Sequence, residues 1–230
     1  LTQDLIDLKN SSDDENENIF LYKEPIGVVA CILPWNFPFY VLARKLGPAL
    51  ITGNTVILKP SSDTPCSALE LAQLLDEIEF PKGVVNIITG KGSVTGKGLS
   101  ENPDVGFVTV TGSVPTGQKI MASCAENVTK VSLELGGKAP AIVMDDADLD
   151  LAVSAITASR VSNAGQVCNC TERVYVQKGI AAEFMKRIVK SMSEVTYGNG
   201  VETPDVVMGS LINEEAVRTV HAMVETAVSQ

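Results

Sequence analysis

Two hydrophobic periods alternate along the 230-residue chain. Apolar runs at Gly27–Leu33, Thr55–Leu58, Val84–Ile88 and Phe107–Val110 have strand length, and Lys130–Glu134 adds a fifth. A run that is apolar at successive positions suits a parallel strand buried on both faces. Between these runs the spacing turns helical, over Phe39–Leu50, Ser67–Ile78, Ser93–Leu99 and Pro115–Glu126. Thr64 and Pro65 form an N-cap and first-turn pair ahead of the second of these. Strands alternating with helices predict an α/β architecture around a parallel sheet. Its crossovers are right-handed, and ligands gather at the carboxyl ends of its strands.

The pattern restarts after Gly136-Gly137, where paired glycines permit a turn, and a domain boundary is expected there. Ala141–Met144 and Arg173–Val176 read as strands; Asp148–Ser159, Ala181–Val195 and the amphipathic Glu214–Gln230 read as helices. Ahead of the first long strand, Leu1–Leu8 has helical spacing, Asn10–Asn18 is a polar loop and Ile19–Tyr22 a short strand. No internal repeat appears. The longest apolar run, Ile26–Leu33, is strand-sized, so no membrane span and no signal peptide is read.

Composition narrows the function classes. The hydrophobic content of 45% and charged content of 20% are those of a globular protein able to bury a sizeable core. The net charge of −10 disfavours nucleic-acid and anionic-membrane binding. Five scattered cysteines suit a reducing compartment, and a cytoplasmic protein is expected. Cys168 and Cys170 are too close together, without a second pair, for a zinc site, and no metal is expected. The single histidine, His221, reads as an exposed helix residue.

The candidate chemistry is a thiol and a carboxylate. Cys168 lies in Asn163-Ala164-Gly165-Gln166-Val167-Cys168-Asn169-Cys170, and Glu134 lies upstream in Leu133-Glu134-Leu135-Gly136-Gly137-Lys138. A thiol nucleophile with a base is the minimum for covalent chemistry on a carbonyl. Three further motifs precede these two: Pro34-Trp35-Asn36-Phe37-Pro38, Lys59-Pro60-Ser61-Ser62-Asp63-Thr64-Pro65, and Thr111-Gly112-Ser113 with Gly117. The five in this order, from about Tyr22 to the last residue, resemble the NAD(P)-dependent aldehyde dehydrogenase superfamily. Within it the segment Gly165–Gln177 is similar to the lactaldehyde and glycolaldehyde dehydrogenase group.

The resemblance implies a Rossmann-like parallel sheet followed by part of a second α/β catalytic domain. It implies an oligomerisation arm over 1–24, a partial cofactor-binding domain over 25–136 and a partial catalytic domain over 137–230. Family members are about twice as long, so the chain is expected to be a fragment, inactive alone, of a homotetramer or homodimer. Its partner is a small aldehyde. Cys168 attacks the aldehyde, hydride transfer to nicotinamide leaves a thioester, and water hydrolyses it. Glu134 is the base. Asn36 binds the oxyanion, a contribution on the order of 3 kcal/mol per donor. Lys45 matches a lysine of a proton relay. Cys170 is off the family pattern and reads as a packing residue, with a redox partnership to Cys168 as the alternative.

For the cofactor, NAD or NADP, the resemblance implies Trp35, Lys59, Ser62, Gly112, Ser113 and Gly117. Gly112–Gly117 joins a strand to a helix, where backbone N–H groups and a helix N-terminus face pyrophosphate. Gly90-Lys91-Gly92 lacks a P-loop ending, so ATP is not expected. Ser62 stands where NAD-preferring members carry glutamate; a serine does not repel a 2′-phosphate, so NADP is an expected substrate. Phe37, Tyr40, Val41 and Arg44 share helical spacing and by resemblance line the substrate tunnel. Arg44 favours a hydroxylated or anionic aldehyde. The alternatives are succinate-semialdehyde oxidation, or a non-catalytic binding protein derived from a dehydrogenase.

Overall fold

The apolar run Val28–Ile32 (β1) is the central strand of a five-stranded parallel sheet, flanked by Thr55–Lys59 (β2) and Val105–Gly112 (β4). Val85–Ile87 (β3) and Lys130–Leu135 (β5) close the two edges, giving the order β3-β2-β1-β4-β5. The computed structural model describes residues 22–230. The helix, loop and most of the strand expected over residues 1–21, and with them most of the arm, lie outside the described residues. The contacts divide the chain into two units between Leu135 and Gly136.

In the first unit, the strand alternation sends side chains to two separate cores. Val29, Cys31, Val56 and Leu58 pack under Pro38–Ile51 (α1) and Cys66–Glu77 (α2). Ala30, Ile32, Val108 and Val110 pack under Lys97–Glu101 (α3) and Val114–Ala125 (α4). A sheet covered on both faces needs apolar residues at successive positions, as these runs provide. The strand order reverses between β1 and β4, and their following helices leave to opposite faces. Their carboxyl ends therefore border a crevice, the usual ligand position in open α/β sheets.

Three details differ from the expectation. β4 continues through Thr111 and Gly112, because ladder pairing of Thr111 with Glu134 and of Gly112 with Leu135 extends it past its apolar residues. The helix expected over Ser93–Leu99 splits into a wide π-type turn at Gly92–Gly96 followed by α3. Thr64 does not cap α2: the helix begins at Cys66, and the Thr64 hydroxyl donates instead to the Trp35 carbonyl at 3.3 Å.

The second unit pairs Pro140–Val143 (β6) in parallel with Arg173–Val176 (β7). Leu149–Val161 (α5) and Ala181–Ser193 (α6) cover one face through Val143, Val153, Ile156 and Phe184. Asp148 caps α5 by accepting from the N–H groups of Asp150 and Leu151. Arg187 ties α6 to α5 by donating to Asp150 at 2.6 Å. Ile142 and its ladder partner Tyr175 are exposed. Glu214–Val228 (α7) is capped by Asn213, buries no residue, and carries His221 exposed beside Glu225. Among the described residues no helix is long and apolar enough to cross a membrane.

Candidate active site

Each strand end of the crevice carries part of the expected site. Beyond β1 the chain continues pairing, with Leu33 N–H donating to Lys59 O, and then turns at Pro34. Trp35 and Asn36 follow, both half-buried. Pro38 starts α1, its fixed φ suiting the first helical position. Phe37 and Tyr40 are exposed and meet edge to face at 6.1 Å between ring centroids. Arg44 is exposed one turn on. Val41 does not share this face; it is buried in the core with Leu42 and Leu46, correcting its assignment to the tunnel lining.

Lys45 turns inward from α1. Its Nζ donates to Thr109 Oγ1 at 2.7 Å. Burial holds its pKa below the ordinary lysine value, while Cys31 and Glu134 act to raise it and Arg44 to lower it. Burial pushes the Cys31 thiol up to about 12, against the pull of Lys45, so it stays neutral at physiological pH. Glu134 is an exposed carboxylate near the end of β5, opposite Thr111.

At the carboxyl end of β2, Lys59 is buried, donates from Nζ to Pro60 O at 2.9 Å, and has its pKa lowered by that burial. Ser62 is exposed and its hydroxyl donates to Gly90 O at 3.1 Å. The turn after β4 uses part of its backbone N–H groups internally. Pro115 has no N–H, Thr116 N–H is taken by Ser113 Oγ, and Gly117 N–H by Ser113 O. The turn offers the linked hydroxyls of Ser113 and Thr116, 2.9 Å apart, and the positive end of α4. Gly117 is buried, and a Cβ there would lie 2.8 Å from both Leu135 methyls. It sets the close approach of α4 to β5.

In the second unit, the segment after α5 bends sharply. Asn163, Ala164 and Gly165 take left-handed φ values of 48°, 55° and 76° in succession. A side chain at Gly165 would also meet the Arg160 guanidinium at 2.9 Å. Gln166 anchors the bend, donating to Asn163 O and accepting from Ile212 N–H, both at 2.9 Å. Cys168 emerges exposed. Cys170 is buried, its thiol donating to Gly165 O at 3.1 Å and accepting from Arg160 Nη1 at 3.3 Å. One cysteine thus faces solvent while the other holds the bend.

The sequence pattern of the aldehyde dehydrogenase family matches residues 3–230. The chain belongs to that family. It is 56% identical over 219 residues to the lactaldehyde dehydrogenase of Escherichia coli K12, covering 95% of this chain and 46% of that protein. The crystal structure of the Escherichia coli lactaldehyde dehydrogenase superposes with a TM-score of 0.92, over 95% of this chain and 46% of that one. The NADP(+) succinate-semialdehyde dehydrogenase of Escherichia coli K12 is 45% identical over 215 residues, covering 94% of this chain and 44% of that protein. The chain therefore spans about half the length of the curated relatives it matches.

In this aldehyde dehydrogenase family chain, two neighbours of the expected site residues were not anticipated from sequence. Thr109 and Arg160 make side-chain contacts to Lys45 and Cys170. Alternation offered a signal for Thr109: it is polar between Val108 and Val110, which face the opposite core. No metal-binding group of three His, Cys, Asp or Glu occurs among the described residues.

Proposed function

We propose that the protein to which this chain belongs oxidises a small polar aldehyde, of the lactaldehyde or glycolaldehyde type, to its acid with NAD or NADP. One observation carries the reading. The carboxyl ends of the adjacent parallel strands β1, β4 and β5 hold Asn36, the Ser113-capped turn and Glu134. This suits a cofactor at the strand ends of the first unit. The residues fit a dinucleotide: a buried lysine at a strand end, hydroxyls at a helix N-terminus, and a crevice at the reversal of strand order. When bound, the nicotinamide supplies the two-electron acceptor for hydride.

The protein's own groups do the rest. Cys168 attacks the carbonyl carbon as thiolate, giving a thiohemiacetal oxyanion that the Asn36 amide stabilises. After oxidation to the thioester, Glu134 takes a proton from water, which attacks and releases the acid and the thiol. Five free thiols fit a reducing compartment. A second reading, succinate-semialdehyde oxidation, is favoured by the exposed Arg44 guanidinium beside Tyr40, which suits a carboxylate.

Assay of the full-length protein with lactaldehyde, glycolaldehyde, succinate semialdehyde and hexanal tests these readings. The hydroxyaldehydes are expected to exceed the other two in kcat/KM by about tenfold or more. Preference for succinate semialdehyde would select the second reading, and no turnover of any would remove both. For the cofactor, Ser62→Glu is expected to lower the NADP-to-NAD ratio of kcat/KM by about tenfold or more, through repulsion of the 2′-phosphate. Ser62 is exposed and gives up one hydrogen bond to Gly90 O, so stability should change little. An unchanged ratio removes Ser62 from the ribose site.

A further inference from the structure

The Lys45 side chain has a long flexible stem, and something must hold its head. Its Nζ donates to Thr109 Oγ1 at 2.7 Å, across 64 residues of sequence. Thr109 is buried in the middle of β4, where its ladder partners are Cys31 on β1 and Ser132 on β5. Val108 and Val110 on either side belong to the core beneath α3 and α4, so Thr109 points to the α1 face. A buried hydroxyl is costly unless it is paired, and Lys45 pairs it. The groups facing Lys45 are Cys31 from β1, Glu134 from β5 and Arg44 from its own helix. Cys31 is a neutral thiol, so Glu134 is the counter-charge among them.

We infer that Thr109 is a positioning residue: its hydroxyl fixes the Lys45 ammonium between β1 and β5, where Lys45 sets the field at Glu134. The consequence for turnover rests on the reading of Glu134 as the base; the hydrogen bond and its effect on Lys45 do not. Threonine and serine supply the acceptor, and valine keeps the shape without it. Because an acceptor stabilises the charged amine, its removal drives Lys45 further toward the neutral form.

The test is competitive trace acetylation of the full-length protein with acetic anhydride between about pH 6 and 11, read lysine by lysine by peptide mass spectrometry. Thr109→Val is expected to lower the Lys45 midpoint by about one pH unit, and Thr109→Ser to leave it within about 0.3 unit. Lys59, buried at the end of β2, serves as the fold control. A Lys45 midpoint unchanged in the valine variant, with Lys59 still protected, overturns the inference. Should valine expose Lys59, the Thr109→Ala and Thr109→Ser pair decides by the same criterion. In an active enzyme, Thr109→Val should also move the pH profile of kcat while leaving KM in place. If the protein oxidises no aldehyde, the labelling result still decides the role of Thr109, and only the dehydrogenase reading falls.

Discussion

Cys168→Ala in the full-length protein is expected to lower aldehyde oxidation by about four orders of magnitude or more, with dinucleotide binding retained. The two nearby thiols make the comparison sharp. Cys168 is exposed, whereas Cys170 is buried and its sulfur is engaged by Gly165 O and Arg160. Cys170→Ala therefore removes a support of the bend and not the reacting atom. Its expected cost is a modest loss of stability, about 1 kcal/mol, with turnover within about tenfold of the parent. Iodoacetamide in a Cys66→Ser background, which removes the other exposed thiol, should label Cys168 first and be blocked by aldehyde and cofactor together. Equal loss of activity in both alanine variants, with equal thermal stability, would show that Cys168 is not the sole nucleophile.

What sequence could and could not reveal follows from how each feature is encoded. The central strands were legible because burial on both faces demands apolar residues at consecutive positions, and few other environments do. Helix and strand ends were less so. Thr111 and Gly112 join β4 through main-chain pairing with β5, which their side chains do not announce. The stripe Phe37, Tyr40, Val41 and Arg44 shows why a helical face alone cannot define a tunnel. A helix lying on a sheet buries residues with the same spacing, and Val41 went to the core while its neighbours stayed exposed.

Glycines separate the same way. Gly165 is needed for a left-handed φ under the Arg160 guanidinium. Gly117, read as part of a phosphate turn, is also the contact that lets α4 sit on Leu135. The left-handed backbone at Asn163 and Ala164 had no residue-level signal at Ala164, since alanine ordinarily avoids that region. The Lys45–Thr109 bond was also hidden, because it depends on the register of β1 with β4 and on which way α1 faces. The candidate nucleophile and base were legible as chemistry, but the network supporting them is tertiary.

Glu134→Gln should have the second largest effect, lowering kcat by about 10²- to 10⁴-fold. Glutamine keeps the shape and removes both charge and basicity. Glu134 is exposed at the end of an edge strand, so the melting temperature should stay within a few degrees, on the order of other surface substitutions. The kinetic form of the loss separates the roles of the carboxylate. If Glu134 serves mainly to activate water, one equivalent of reduced cofactor per site should appear at nearly the parental rate, followed by slow turnover as the thioester accumulates. If it also deprotonates Cys168, the burst itself should slow, and recover as pH rises and thiolate forms unaided. The substitution also deletes the charge that favours the Lys45 ammonium, so the Lys45 titration should move down in this variant as well. Parental kcat with an unchanged pH profile would assign the base to another group, and an unmoved Lys45 midpoint would separate Glu134 from Lys45 electrostatically.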